Sequence, residues 1–246
     1  MKGKLFLLMV IVVLVVLTGA AIYLAVPESD SDAMMAGSIE ASAALSGADT
    51  AGYTRADTVR DFIFPADHGA HPQCKTEWWC YTGNLVSTTG RKFGFQLTFF
   101  RSALSPDSVH SISDWAGNQL YMAHCAIADI GGEQFHAFER FSRGAAGLAG
   151  AEGYPFRVWL YDWTAASVGT TLFPIRLTAA TDTTSLNLVL DSLKPLVLQG
   201  DRGLSKKGRG EGNASYYYSY TRLGASGSLR IGGETYTVQG QAWLDR

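Results

Sequence analysis

The stretch KTEWWCYTGNLVSTTGRKFGFQLTFFR, residues 75–101, decides the fold. Glu77, Trp78, Trp79 and Tyr81 crowd its first half, Phe93, Phe95, Phe99 and Phe100 crowd its second, and Thr89-Gly90 lies between them. Two aromatic, alternating runs joined by a Gly-containing turn predict a β-hairpin. So many large rings on one hairpin need a wide apolar space to fill, which points to the wall of a barrel or sandwich with room for a greasy ligand. A two-residue Thr89-Gly90 turn puts Glu77, Trp79 and Tyr81 on one face with Gln96, Thr98 and Phe100 opposite. It leaves Trp78, Cys80, Phe95, Leu97 and Phe99 on the other. The second face reads as packed core. The first mixes aromatic bodies with polar tips, as a ligand pocket does, or else holds a core Glu satisfied by backbone or Arg.

Working outward, short strand-like segments recur at 76–87, 92–101, 119–128, 134–142, 156–163, 172–179, 185–191, 214–223, 227–231 and 235–244, punctuated by Gly131-Gly132, Gly150–Gly153 and Gly232-Gly233. This spacing predicts an all-β sandwich or barrel of antiparallel strands. The chain has 246 residues, ordinary apolar content (47%), a net charge of −2 and a pI near 6.2. That balance gives no field for nucleic acid or acidic lipid. Lys2 and Lys4 precede an uncharged run from Leu5 to Val26, long enough to cross a bilayer. Residues 1–26 therefore read as a signal anchor or a cleaved signal peptide. The positive-inside rule puts the rest of the chain outside the cytoplasm, in the cell envelope or secreted. Residues 27–58, rich in Ser, Ala, Gly and Asp, read as a flexible tether, and 59–246 as the β domain. Cys74, Cys80 and Cys125 lack zinc spacing and read as free thiols, though one disulfide is open.

Several side chains are candidates for chemistry. With Gly131-Gly132 as a turn, positions summing to 263 face each other, so His124 meets Glu139 on a side shared with Leu120, Met122, Phe135 and Phe141. This is a proton-shuttling pair, or a structural hydrogen bond. His68 and His71, in a Pro-containing loop, have ligand chemistry, but no spacing predicts a metal centre or a cofactor. The loop LQGDRGLSKKG (198–208) lacks the order of a phosphate loop and reads as a structured loop. In YYYSY (216–220), Tyr216, Tyr218 and Tyr220 share one face, as a pocket lining or as a packed girdle. Ligand-binding candidates are Trp78, Trp79, Tyr81, Gln96, Arg101, Tyr216, Tyr218, Tyr220 and Trp243, and Trp79, Tyr81, Tyr218 and Trp243 are expected in one cavity.

The segments PADHGAHP, TEWWCYTGNL, FGFQLTFFR, YMAHCAIAD, FHAFERFSRGAAGLAGA, LQGDRGLSKKG, NASYYYSYTRL and GQAWLDR resemble the AttH group of exported bacterial proteins. That group is related to carotenoid 1,2-hydratase (hydroxyneurosporene synthase), and its members are often labelled secreted hydrolases. The resemblance runs from about Asp61 to Arg246. It implies lipocalin-like β halves, with a second lipocalin-like domain beyond WLDR, and an apolar isoprenoid or lipid as ligand. It also implies Asp245 as the proton donor of a hydratase, in which an acid protonates a terminal double bond and aromatic faces steady the cation. Leu244 and Arg246 depart from the His-rich hydratase version, and Cys80 and Cys125 stand where larger apolar side chains are usual. Three activities are open: apolar-ligand binding or modification, hydration of an acyclic carotenoid, and hydrolysis. Glu77 or Glu139 in one pocket with Asp245 would favour the second, and a bound metal or an activated Ser205 the third.

Overall fold

The computed structural model describes residues 50–106, 117–210 and 212–246. The expected anchor (1–26) and residues 27–49 of the expected tether lie outside the described residues. Ala48–Arg246 forms one compact unit. A strap that includes a 3-10 turn, Ala66–His68, leads into β1 (Thr76–Ser87), β2 (Lys92–Ala103), β3 (Gln119–Asp129) and β4 (Gln134–Arg143). Then come β5 (Ala149–Gly153), β6 (Phe156–Leu160), β7 (Trp163–Ser167), β8 (Ile175–Ala180) and β9 (Thr184–Ser192). The pieces β10 (Val197–Leu198), β11 (Leu204–Lys206) and β12 (Ala214–Tyr216) precede β13 (Tyr218–Ile231) and β14 (Glu234–Asp245).

Among the described residues, twelve strands make one antiparallel sheet in the order β4-β3-β2-β1-β14-β13-β9-β8-β7-β6-β5, with β10 beside β13; β11 and β12 pair separately. The sheet curls until β6 lies against β2, β3 and β4, giving a nearly closed barrel. The all-β expectation therefore holds. The expected segment 156–163 is divided between β6 and β7, because Tyr161 takes a positive φ of 56° and the strand direction breaks there. The expected segment 214–223 is likewise divided, between β12 and β13.

Alternation builds the core. Trp79, Tyr81 and Leu85 of β1 point inward with Phe93, Phe95, Leu97 and Phe99 of β2, all nearly inaccessible. They meet Val158, Leu160 and Trp163 from the opposite wall. Each such side chain contributes roughly 1.5–3 kcal/mol by leaving water.

The first hairpin departs from its expected register. Cys80 faces Thr98, Trp79 faces Phe99 and Glu77 faces Arg101, one residue off the two-residue-turn prediction. The connection is a three-residue loop, Thr88-Thr89-Gly90, with Gly90 at φ +86° and its N–H donating to the Ser87 carbonyl at 2.9 Å. A left-handed glycine closing a three-residue loop is a standard hairpin solution, and the slip inverts the opposite strand's faces. Trp79, Tyr81, Phe95, Leu97 and Phe99 are therefore the core, and Trp78, Cys80, Gln96, Thr98 and Phe100 face outward. The second hairpin has the expected register: His124 faces Glu139 across a turn spanning Ile130–Glu133.

Candidate functional site

Two polar regions result, one at an end of the barrel interior and one on the outer face of β14-β1-β2-β3-β4.

The inner region starts from two arginines that end inward-facing alternations. Arg101 follows Phe95, Leu97 and Phe99 on β2, and Arg246 follows Ala242 and Leu244 after β14. Both are buried, so both charges require partners. Glu77 supplies one: its Oε2 accepts from Arg101 Nε at 2.7 Å and from the His71 backbone N–H at 2.7 Å. Its Oε1 accepts from Arg246 at 2.7 Å and lies 2.7 Å from His71 Nδ1. The other ring nitrogen of His71 lies 2.8 Å from Asp67, which also takes a bidentate contact from Arg60. Arg101 further donates to the carbonyls of His71 (3.0 Å) and Cys74 (2.6 Å) and to the Gln119 side chain. Arg246 lies over the Trp79 ring at 4.3 Å, and Trp79 Nε1 donates to the His68 carbonyl at 2.9 Å. The strap is thereby fastened across the barrel end.

Burial alone would raise the Glu77 carboxyl, but Arg246, the His71 contact and Arg101 outweigh it and hold the group well below the usual carboxylate range. Asp67 is likewise held down: burial opposes, and Arg60, the Ile63 N–H and His71 prevail. A carboxylate so fully engaged donates no proton at neutral pH. Burial, with Arg246 nearby, pushes His68 down to about 4, so its ring is neutral; Nδ1 meets the Tyr218 hydroxyl at 2.7 Å. Burial pushes Tyr218 and Tyr81 up strongly and Tyr121 up to about 12. The Tyr81 hydroxyl and Arg246 Nε are buried with no hydrogen-bond partner among the described residues.

The outer region is a set of rows across paired strands. One row runs Ser219, Asp245, Cys80, Thr98, His124, Glu139 from β13 to β4. Asp245 Oδ1 accepts from Ser219 Oγ at 2.6 Å and from Trp243 Nε1 at 2.5 Å. Thr98 donates to Cys80 Sγ at 3.2 Å. His124 Nε2 and Glu139 Oε2 are 3.6 Å apart, both partly exposed, with the Phe100 ring 5.7 Å from the imidazole. An apolar row, Trp78, Phe100, Met122, Phe141, flanks this one; Trp78 also meets the Tyr217 ring at 6.3 Å. On the other flank lies an open groove of about 500 Å³ between Trp243 and Phe135, floored by Gly94, Ala126 and Ala128.

The expected site residues therefore divide. Glu77, Trp79, Tyr81, Arg101 and Tyr218 are inside; Trp78, Gln96, His124, Glu139, Trp243 and Asp245 are outside. The expectation that Trp243 shares a cavity with Trp79, Tyr81 and Tyr218 is corrected: strand parity separates them, Trp243 being 38% exposed and the other three almost inaccessible. Glu77 is kept from Asp245 in the same way. Tyr218 and Tyr220 do share a side, 6.4 Å apart, and Tyr216 packs with Tyr218 around Phe62. The three cysteines are free thiols; burial raises all of them, Cys125 to about 12. The unanticipated residues are Asp67, Arg246 and the groove's Thr82, Asn84 and Gln241. For Arg246 a signal existed: a charge at an inward position of an alternating strand.

The family model for AttH-like proteins matches residues 55–246. The chain belongs to the AttH-like family. A crystal structure of an AttH from Nitrosomonas europaea is 34% identical, with a TM-score of 0.67 over 78% of this chain and 57% of that one. Kievitone hydratase from Nectria haematococca, 12% identical, shares the fold, with a TM-score of 0.54 over 79% of this chain and 54% of that one. No curated protein matches. This AttH-like chain thus spans a little over half the length of both structures.

Proposed function

We propose that this protein is exported, held at the cell envelope by residues 5–26, and binds or modifies an apolar isoprenoid or lipid ligand on the outer face of β14-β1-β2-β3-β4. The observation that carries this reading is the row of half-buried rings Trp78, Phe100 and Phe141, with Met122 buried among them, and, across the Asp245–His124–Glu139 row, a groove walled by two exposed rings. Trp79, Tyr81, Phe93, Leu97, Phe99 and Trp163 crowd the barrel interior, so this reading places the ligand on the outer face. Half-exposed rings in a row lower the free energy of an elongated apolar molecule without enclosing it. Mass spectrometry of organic extracts from the full-length purified protein tests it. A co-purifying polyene or lipid at stoichiometric level, lost in Trp78→Ser with Phe100→Ser, is the expected result. An empty extract from folded protein, with no uptake of added isoprenoid, rejects it.

Asp245 supports a second reading, hydration of a terminal isoprenoid double bond. Its carboxyl lies on the same face, hydrogen-bonded to the Trp243 indole, at the edge of the apolar surface. A proton delivered from a protonated Asp245 to the alkene would leave a tertiary cation that the nearby rings steady; a water would then bond to that carbon and return a proton to the Asp245 carboxylate. A product heavier by one water, absent with Asp245→Asn, is the expected outcome; ligand binding without mass gain leaves the protein a binder.

A further inference from the structure

We infer that the groove between Trp243 and Phe135 receives the head of the ligand, and that this head is uncharged and bears hydroxyl or carbonyl groups. The inference rests on the apolar-ligand reading above and specifies its polar end.

Two consecutive rows of the outer face build the groove: Trp243, Thr82, Gln96, Ala126 and then Gln241, Asn84, Gly94, Ala128, Phe135. Every polar side chain here is an amide or a hydroxyl, able both to donate and to accept, apart from the Trp243 indole, whose one N–H already donates to Asp245. No charged side chain lines the groove among the described residues. The floor is made of Gly94 and two alanines, which lets a ring or chain lie flat against backbone. The walls are planar: Phe135 is 71% exposed and Trp243 38%, a poor placement for large apolar groups unless something covers them. A volume of about 500 Å³ suits one ring-sized group or a short polar segment.

The charges just outside sharpen the selection. Asp245, two residues along β14, accepts from the Trp243 indole N–H at 2.5 Å, so its carboxylate stands directly against the groove wall. Glu139 lies on the same side, in the row next to Ala126 and Ala137, beside His124. A phosphate or carboxylate in the groove would face this acidic edge and would find no lining cation. The exposed Lys92 lies one row beyond Gly94 on the far side and does not line the groove. A cationic head would lack a lining carboxylate. Alcohol, sugar or carbonyl groups match what Gln96, Asn84, Gln241 and Thr82 offer. The apolar row Trp78, Phe100, Met122, Phe141 lies on the far side of the Asp245 row, where a tail can run.

The test uses two probes with one tail, farnesol and farnesyl monophosphate, titrated below their aggregation limits into the full-length protein and followed by tryptophan fluorescence and calorimetry. The expected result is at least tenfold tighter binding of the alcohol. Trp243→Ala should weaken the alcohol at least fivefold. Gln96→Leu, which removes an exposed amide and leaves the core untouched, should narrow the alcohol-to-phosphate ratio. Phosphate binding as tight as the alcohol, or alcohol binding indifferent to Trp243, overturns the neutral-head assignment while leaving the apolar-ligand reading intact. Binding of neither probe overturns the apolar-ligand reading and this inference together.

Discussion

At the scale of single residues, Glu77 holds the interior together. It is the shared counter-ion of Arg101 and Arg246, two cations that have no water to turn to. Glu77→Gln keeps the shape but removes the charge, leaving two buried guanidinium groups with one neutral partner. Breaking a buried pair in this way costs about 3–5 kcal/mol, so the urea midpoint should fall sharply while the slope stays unchanged. His68 gives a second prediction. Its folded form stays neutral to about pH 4, whereas the unfolded chain takes a proton near the ordinary value of 6.5. The unfolded state therefore binds more protons in that window, and stability is complete above it and falls as pH falls through it. Between about pH 6.5 and 5 the loss should be about 2 kcal/mol, and His68→Asn should flatten that part of the curve. A wild-type curve already flat there would show that the ring is not held neutral.

At the scale of elements, the first hairpin shows what the sequence made legible and what it hid. The extents of β1 and β2 are readable from their aromatic alternation, and those of β3, β4 and β14 equally so. The register of β1 against β2 is not, because Thr89-Gly90 fits a two-residue turn and a three-residue loop alike. Only the left-handed Gly90 of the longer loop sets which face of β2 meets Trp79. The His124–Glu139 pairing is legible because a two-residue and a four-residue connection around Gly131-Gly132 preserve the same sum. The charged cap is hidden for a different reason: Asp67, His71, Glu77, Arg101 and Arg246 are spread along the chain, and only closure of the sheet unites them. Gly90→Ala tests the loop. Open space surrounds this position, so the cost is backbone strain alone, about 1–2 kcal/mol for a side chain held at positive φ. Equilibrium unfolding of G90A should show that loss, and an unchanged midpoint would argue for a different loop conformation in solution.

At the scale of the whole molecule, β14 joins the two parts of the barrel, with β1 to β4 on one side and β13, β9 to β5 on the other. Gly240 lies in the middle of it, where an added Cβ would sit 2.0 Å from the Asn84 carbonyl oxygen and 2.9 Å from Leu85 Cα. Gly240→Val should therefore force β14 off β1. Because both halves share one core, Trp79 and Trp163 should lose their near-ultraviolet dichroism in a single transition; survival of the Trp163 signal would mean that β5–β9 stands alone. The same placement governs the order in which the chain can fold as it is made. The first strand waits for the last, so two half-sheets emerge from the ribosome separately, each with a bare hydrogen-bonding edge. At about 5–20 residues per second that wait is roughly 10–30 s. During it the chain has no finished barrel, and a translocation channel or chaperone would meet it in a threadable form.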